Sequence, residues 1–160
     1  MAPGSSGRPL TSGRSVASPA PESSSDLRQR VTEYLREHHT MSIATVGPGN
    51  APHAASVFYA VDRSLRLIFL SKPTSQHGLH IGACAPVAAT VTEPYDDWTA
   101  IRGVQLWGRA RPLQGAARVA ALAVYMARFP FVSDIVKRPE MAGLMKEMGV
   151  YRIEPERLAF

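Results

Sequence analysis

Cysteine is almost missing from this chain: Cys84 is the single thiol in 160 residues. A lone cysteine cannot make an intrachain disulfide or supply a multi-cysteine zinc or iron-sulfur site, a usage that suits a reducing cytosol. Its alanine-rich neighbours point to plain packing. Long apolar runs are missing as well. No stretch approaches the ~20 apolar residues of a bilayer span, and the most apolar helical segment, residues 116–127, carries Arg118. A soluble, cytoplasmic protein without a membrane partner is expected. Acid is absent before Glu22, and residues 1–25 are Ser, Pro, Gly and Ala with almost nothing large and apolar to bury. They read as a disordered tail ahead of one domain over 26–160. Arg8 and Arg14 among serines loosely resemble a transit peptide, but the Pro and Gly content opposes an amphipathic helix.

Two further absences narrow the function. No Gly-x-Ser-x-Gly elbow occurs, so a serine hydrolase is unsupported. The net charge of +5 is spread over fifteen scattered arginines, and Lys137-Arg138 is the only adjacent basic pair after residue 25. Without a basic stripe, nucleic acid is not the expected partner; the scattered excess reads as a solvated surface or as a mild field attracting small anions. Asp96-Asp97 follows Pro94 in a turn, where adjacent carboxylates do not converge on one substrate, and reads as a solvated loop.

What is present is a run of strands. Leu27, Val31, Tyr34 and Leu35 share one face of a helix predicted over 25–38. Strands are predicted over 41–46, 53–61 and 65–70, joined by Gly47-Pro48-Gly49-Asn50 and Asp62-Arg63-Ser64. Such short turns join antiparallel neighbours, which disfavours a doubly wound nucleotide fold. After a helix over 74–84, strands are expected over 86–92 and 101–113. A helix over 114–128 follows, burying Val119, Leu122, Ala123 and Met126 and ending at Phe129-Pro130. A short helix near 139–148 and a last strand over 150–153 complete an α+β barrel of about six antiparallel strands with flanking helices.

The segment 65–81 carries the chemistry. An apolar strand breaks after Leu70 into Ser71, Lys72, Thr74 and Ser75 before a helix holding Gln76 and His77. Hydroxyl donors, an ammonium and helix-initial N–H groups together can cradle a phosphate. The same letters also describe an ordinary N-cap. His77 and His80, three apart, have metal-site spacing, yet no acidic or thiol partner stands nearby, so structural roles are expected. His77 is the preferred phosphate histidine, as a neutral N–H donor or as a cation whose pKa the anion raises. His38-His39 ends a helix and is assigned no chemistry.

The order of Ala54-Ala55-Ser56-Val57-Phe58-Tyr59, the corner at 71–77 and Ile101-Arg102-Gly103-Val104-Gln105-Leu106-Trp107-Gly108 resembles the pyridoxamine phosphate oxidase family. Arg102-Gly103-Val104-Gln105 with Gly108, Ala85-Pro86-Val87-Ala88 and Arg128-Phe129-Pro130 resemble an uncharacterised branch of it. The resemblance covers 26–160. It implies a split β-barrel that dimerises and binds FMN across the subunit interface. Carried over residue by residue, the flavin ring lies against the strand 54–59, which holds Ala55, with backbone groups of Ser56 and Val57 facing the ring edge. The phosphate lies at Leu70, Ser71, Lys72, Thr74, Ser75, Gln76 and His77. Gln105 is assigned to the pyrimidine edge of the ring, with Trp107 near the pocket.

Family side chains are replaced at three places, Gln76-His77 standing for an Arg-Lys pair, Ala54 for an Arg and Gly103 for a Gln, with Lys72, His53 and Gln105 left to compensate. The Arg and His that the archetype uses on pyridoxal have no counterpart, so pyridoxamine phosphate oxidation itself is not expected. The expectation is a homodimeric FMN-dependent oxidoreductase acting on a small molecule. The alternatives are a split barrel for F420 or haem, and a non-catalytic dimeric binding or stress-related module that has lost its cofactor.

Overall fold

The computed structural model describes residues 23–82, 84–138, 143 and 145–160; nearly all of the expected tail lies outside the described residues. Helix α1, Ser24–Glu37, starts where the Ser23 hydroxyl accepts the Asp26 N–H at 3.2 Å. Strands β1 (Thr40–Val46), β2 (Pro52–Val61) and β3 (Leu67–Ser71) form two successive hairpins. Helix α2 (Gln76–Ile81), strands β4 (Ala85–Thr92) and β5 (Gly103–Pro112), helices α3 (Gly115–Arg128) and α4 (Pro130–Val136) and strand β6 (Gly149–Ala159) follow.

The strands close in the order β1-β2-β3-β6-β5-β4, every pairing antiparallel, as a six-stranded split barrel of the α+β class. Alternation does the sorting, because successive strand side chains point to opposite faces. β1 alternates strictly, with Met41, Ile43 and Thr45 inward, and β5 turns Val104, Leu106, Gly108 and Ala110 inward. These join Tyr59, Leu67, Phe69, Tyr151 and Ile153 in the interior, which α1 completes with Val31, Tyr34 and Leu35 and α2 with Ile81. The Tyr59 hydroxyl donates to the Leu35 carbonyl at 2.8 Å, satisfying a buried phenol and fixing α1.

A second apolar layer lies outside the barrel. Ala60, Ile68 and Val150 face outward and are covered by Ala121, Tyr125, Phe129 and Val132 of the α3–α4 elbow. β3 is therefore buried on both faces, which is why it reads as an unbroken apolar run rather than an alternating one.

Several boundaries differ from the sequence expectation. α2 is shorter than 74–84, because Ser75 caps it and Gly82, at φ 51°, ends it. β5 begins at Gly103; residues 98–100 form a 3₁₀ turn capped by the Asp97 carboxylate. The buried face of α3 is Ala121 and Tyr125, whereas Val119 and Ala123 are exposed and Leu122 and Met126 half-buried: the helix rolls to seat a tyrosine. α3 does end at Phe129-Pro130 as expected, and Pro130 then occupies the first turn of α4, where its missing N–H costs nothing. Of the helix expected near 139–148, residues 143 and 145–147 are helical, while 139–142 and 144 lie outside the described residues. β6 runs far past Ile153, through Pro155, because it pairs with β5 from Gln105 to Pro112. Cys84 is exposed rather than packed, its Sγ accepting from Arg109 Nε at 3.4 Å.

The β5–β6 register shifts between Trp107 and Gly108, and a methyl group at Gly108 would fall on the Glu154 carbonyl oxygen. Gly108→Ala is therefore expected to lower the unfolding free energy by about 1–3 kcal/mol in urea denaturation. An unchanged midpoint would contradict this close approach.

Candidate functional site

The strand-to-helix corner is built by local rules. β3 ends at Ser71, and the chain turns through Lys72-Pro73-Thr74 with the Ser75 N–H donating to the Lys72 carbonyl at 3.0 Å. Ser75 Oγ then accepts the Gly78 N–H at 3.2 Å, the ordinary N-cap bond. A Cβ on Gly78 would stand 2.7 Å from the Lys72 carbonyl oxygen and 2.8 Å from that of Pro73, so the turn closes on a residue with no side chain.

Inside the corner, Ser71 Oγ and His77 Nε2 lie 2.6 Å apart, both residues 8% exposed, and Ser71 Oγ reaches Ser75 Oγ at 3.1 Å. Burial, and then the neighbouring His53 and His80, push the His77 pKa below that of a free imidazole. The ring is neutral near pH 7. His53 stacks beside it at 6.1 Å between ring centroids and meets His80 edge-on at 5.9 Å. His80 in turn holds the Thr45 hydroxyl at 3.0 Å through Nδ1 and the Gln76 amide at 2.6 Å through Nε2. An amide N–H donating to Nε2 leaves the proton of a neutral His80 on Nδ1, donated to buried Thr45.

A cleft of about 680 Å³ opens over this corner, within the range of small-molecule sites. Eight residues singled out from the sequence line it: Ser56, Val57, Leu70, Ser71, Lys72, Thr74, Ser75 and His77. The opposite wall is not legible in the sequence. It consists of Phe58, Tyr125, Phe131, Val132, Ile135, Met145 and Met148, contributed by β2, the α3–α4 elbow and the turn before β6. Phe131 is 51% and Phe58 48% exposed, a signal no sequence period carries. Burial raises the Tyr125 phenol to about 12, so it stays protonated. Lys72 Nζ lies 3.5 Å from the Glu147 carboxylate, both side chains more than half exposed, a pair worth at most about 1 kcal/mol in water.

The other five residues lie elsewhere. His53 stands behind His77, Ala55 packs against the barrel interior, and Gln76 turns to His80. Gln105 is exposed on β5 and lines a separate cleft of about 520 Å³ with Arg30 and Phe160. Trp107 lies on the same outer face of β5, with the Arg157 guanidinium 3.9 Å above its ring. Among the described residues no group of three or more His, Cys, Asp or Glu side chains is placed to hold a metal, and no helix is long and apolar enough to cross a membrane.

The family described as Pyridoxamine 5'-phosphate oxidase matches residues 27–160. UPF0306 protein YhbP of Salmonella schwarzengrund is 42% identical over 115 residues, covering 71% of this chain and 77% of that protein. Among solved structures, HutZ, the heme storage protein from Vibrio cholerae, superposes with a TM-score of 0.67 at 16% identity, covering 83% of this chain and 93% of that one. A FAD-binding protein from Mesorhizobium loti gives 0.59 at 17% identity, covering 81% and 90%.

His77 binds fewer protons folded than unfolded, so stability is full above an unfolded-state pKa near 6.5 and declines as pH falls below it. Replacing the titrating ring by an amide in His77→Gln is expected to flatten the fall in Tm between pH 7 and pH 5. A parallel fall in the variant would show that His77 is not the group protonated.

Proposed function

This chain belongs to the pyridoxamine 5'-phosphate oxidase family, and on that premise we propose that it binds FMN in the cleft over the Ser71–His77 corner and acts as a flavin-dependent oxidoreductase. One observation carries the reading: a single cleft joins a hydroxyl- and ammonium-bearing end to a long aromatic and aliphatic wall. FMN has that polarity, a dianionic phosphate at one end and a planar apolar ring system at the other.

The donor set fits a phosphate. Thr74 and Lys72 are exposed at the cleft mouth, and the Ser75 hydroxyl can donate outward while still accepting the Gly78 N–H. Lys72 would exchange the weak Glu147 contact for a dianion, a gain in charge-assisted bonding. Neutral His77 braces Ser71 from behind and shapes the cradle without adding charge. Phe58, Phe131 and Val132 would cover a ring face and exclude water. The bound flavin supplies the hydride or electron chemistry, and the protein positions it.

Gln105 lies on a different face from this cleft, so its role at the pyrimidine edge requires a second copy of the chain. A homodimer with the cofactor at the interface satisfies that requirement and would cover exposed Phe58 and Phe131. The exposed thiol of Cys84 suits a reducing cytoplasm.

Haem is the second reading. Uncharged His77 beside the cleft and the described ligand of HutZ favour it, whereas the 2.6 Å bond that engages Nε2 with Ser71 opposes iron ligation through that atom.

Lys72→Ala combined with Thr74→Val is expected to weaken FMN binding at least tenfold, a loss of about 1.4 kcal/mol, in a flavin-fluorescence titration. Unchanged affinity would remove the phosphate from this corner. A visible spectrum after reconstitution separates flavin, F420 and haem, and a dimer that takes up none of them would be the non-catalytic module.

A further inference from the structure

We propose that the pocket behind Leu70, between α3 and the turn at Met145 and Met148, binds a small apolar carboxylate. Six of the eight described residues lining this cavity of about 260 Å³ are Leu70, Leu122, Met126, Met145, Met148 and Val150. The other two are Arg118 and Lys146, and both also line the neighbouring trough of about 590 Å³. Two cations thus stand side by side at the mouth that the apolar hole shares with the wider trough. That boundary is where the head of an amphipathic anion sits, with its chain inside.

Each part has a physical role. Three unbranched thioethers give the hole walls that adapt to an alkyl or aryl body. Arg118 is fixed at the mouth because Nη1 donates to the Met148 carbonyl at 3.3 Å, which leaves further guanidinium N–H groups for a carboxylate. Lys146, exposed, supplies the second charge. Glu147, the one carboxylate among the described residues lining the trough, lies 3.5 Å from Lys72 Nζ, so its charge is partly balanced.

Leu70, Met145 and Met148 line both this pocket and the cleft over the corner. An occupant would therefore lie against the walls of the cofactor cleft. The binding site stands on its own geometry; that its occupant is the flavin's substrate rests on the reading above.

Calorimetric titration of the full chain with hexanoate, octanoate and octanol tests the site. Octanoate is expected to bind about fifteenfold more tightly than hexanoate, two buried methylenes' worth, and at least tenfold more tightly than octanol. Lys146→Ala and Arg118→Leu should each cut octanoate affinity at least threefold and leave octanol unchanged. Lys146→Ala alone decides the matter should Arg118→Leu fail to fold. Octanol binding as tightly as octanoate, or octanoate affinity unmoved in the variants, overturns the proposal. FMN quenching measured on the same samples separates the two readings: lost flavin binding with octanoate retained overturns only the substrate role.

Discussion

The short bond between Ser71 and His77 holds the last residue of β3 to the first turn of α2 in a place that water barely reaches. Because both partners are buried, removing the Ser71 hydroxyl would strand His77 Nε2 at a cost of about 1–3 kcal/mol, whereas Ser71 without His77 would keep its bond to Ser75. The chain is thereby committed to one turn geometry. That geometry sets the direction in which Lys72 and Thr74 face, and it seats Ser75 as a cap. A neutral imidazole suits this position, since a cation there would need a counterion that the barrel side, made of Phe69, His53 and His80, does not supply.

Around this corner the fold separates stability from function. The interior is filled from every strand and sealed by α1, while the α3–α4 elbow buries only part of the outer face of β2 and β3. Where the elbow stops, Phe58 and Phe131 stay half exposed and the cleft begins. The barrel can therefore keep its core while the cleft wall varies, which agrees with a family whose fold recurs at 16–17% identity in proteins described as holding heme and FAD.

The barrel was readable because its strands alternate and its first turns are short, so antiparallel order followed from spacing alone. The corner was readable as a helix start because Ser and Thr after an apolar strand are cap residues, and Ser75 does serve as the cap. Three things escaped. The α3 face shifted because tertiary packing favoured Tyr125 over Val119. The length of β6 escaped because a Pro inside it argues against a strand, although at a register shift it is tolerated. The cleft wall escaped because Met145, Met148 and Phe131 come from segments with no sequence period linking them to β3. Gln105 shows the limit of a motif carried over one residue at a time: in one copy of the chain it faces another cleft.

The claim on which the rest stands is that the corner grips an anionic phosphate and not merely a flat ring. Parallel titrations of the protein with FMN and with riboflavin, which lacks the phosphate, test it most directly. The account predicts that FMN binds at least tenfold more tightly, with the difference shrinking as salt rises, because Lys72 is exposed. Equal affinity for the two flavins would contradict it.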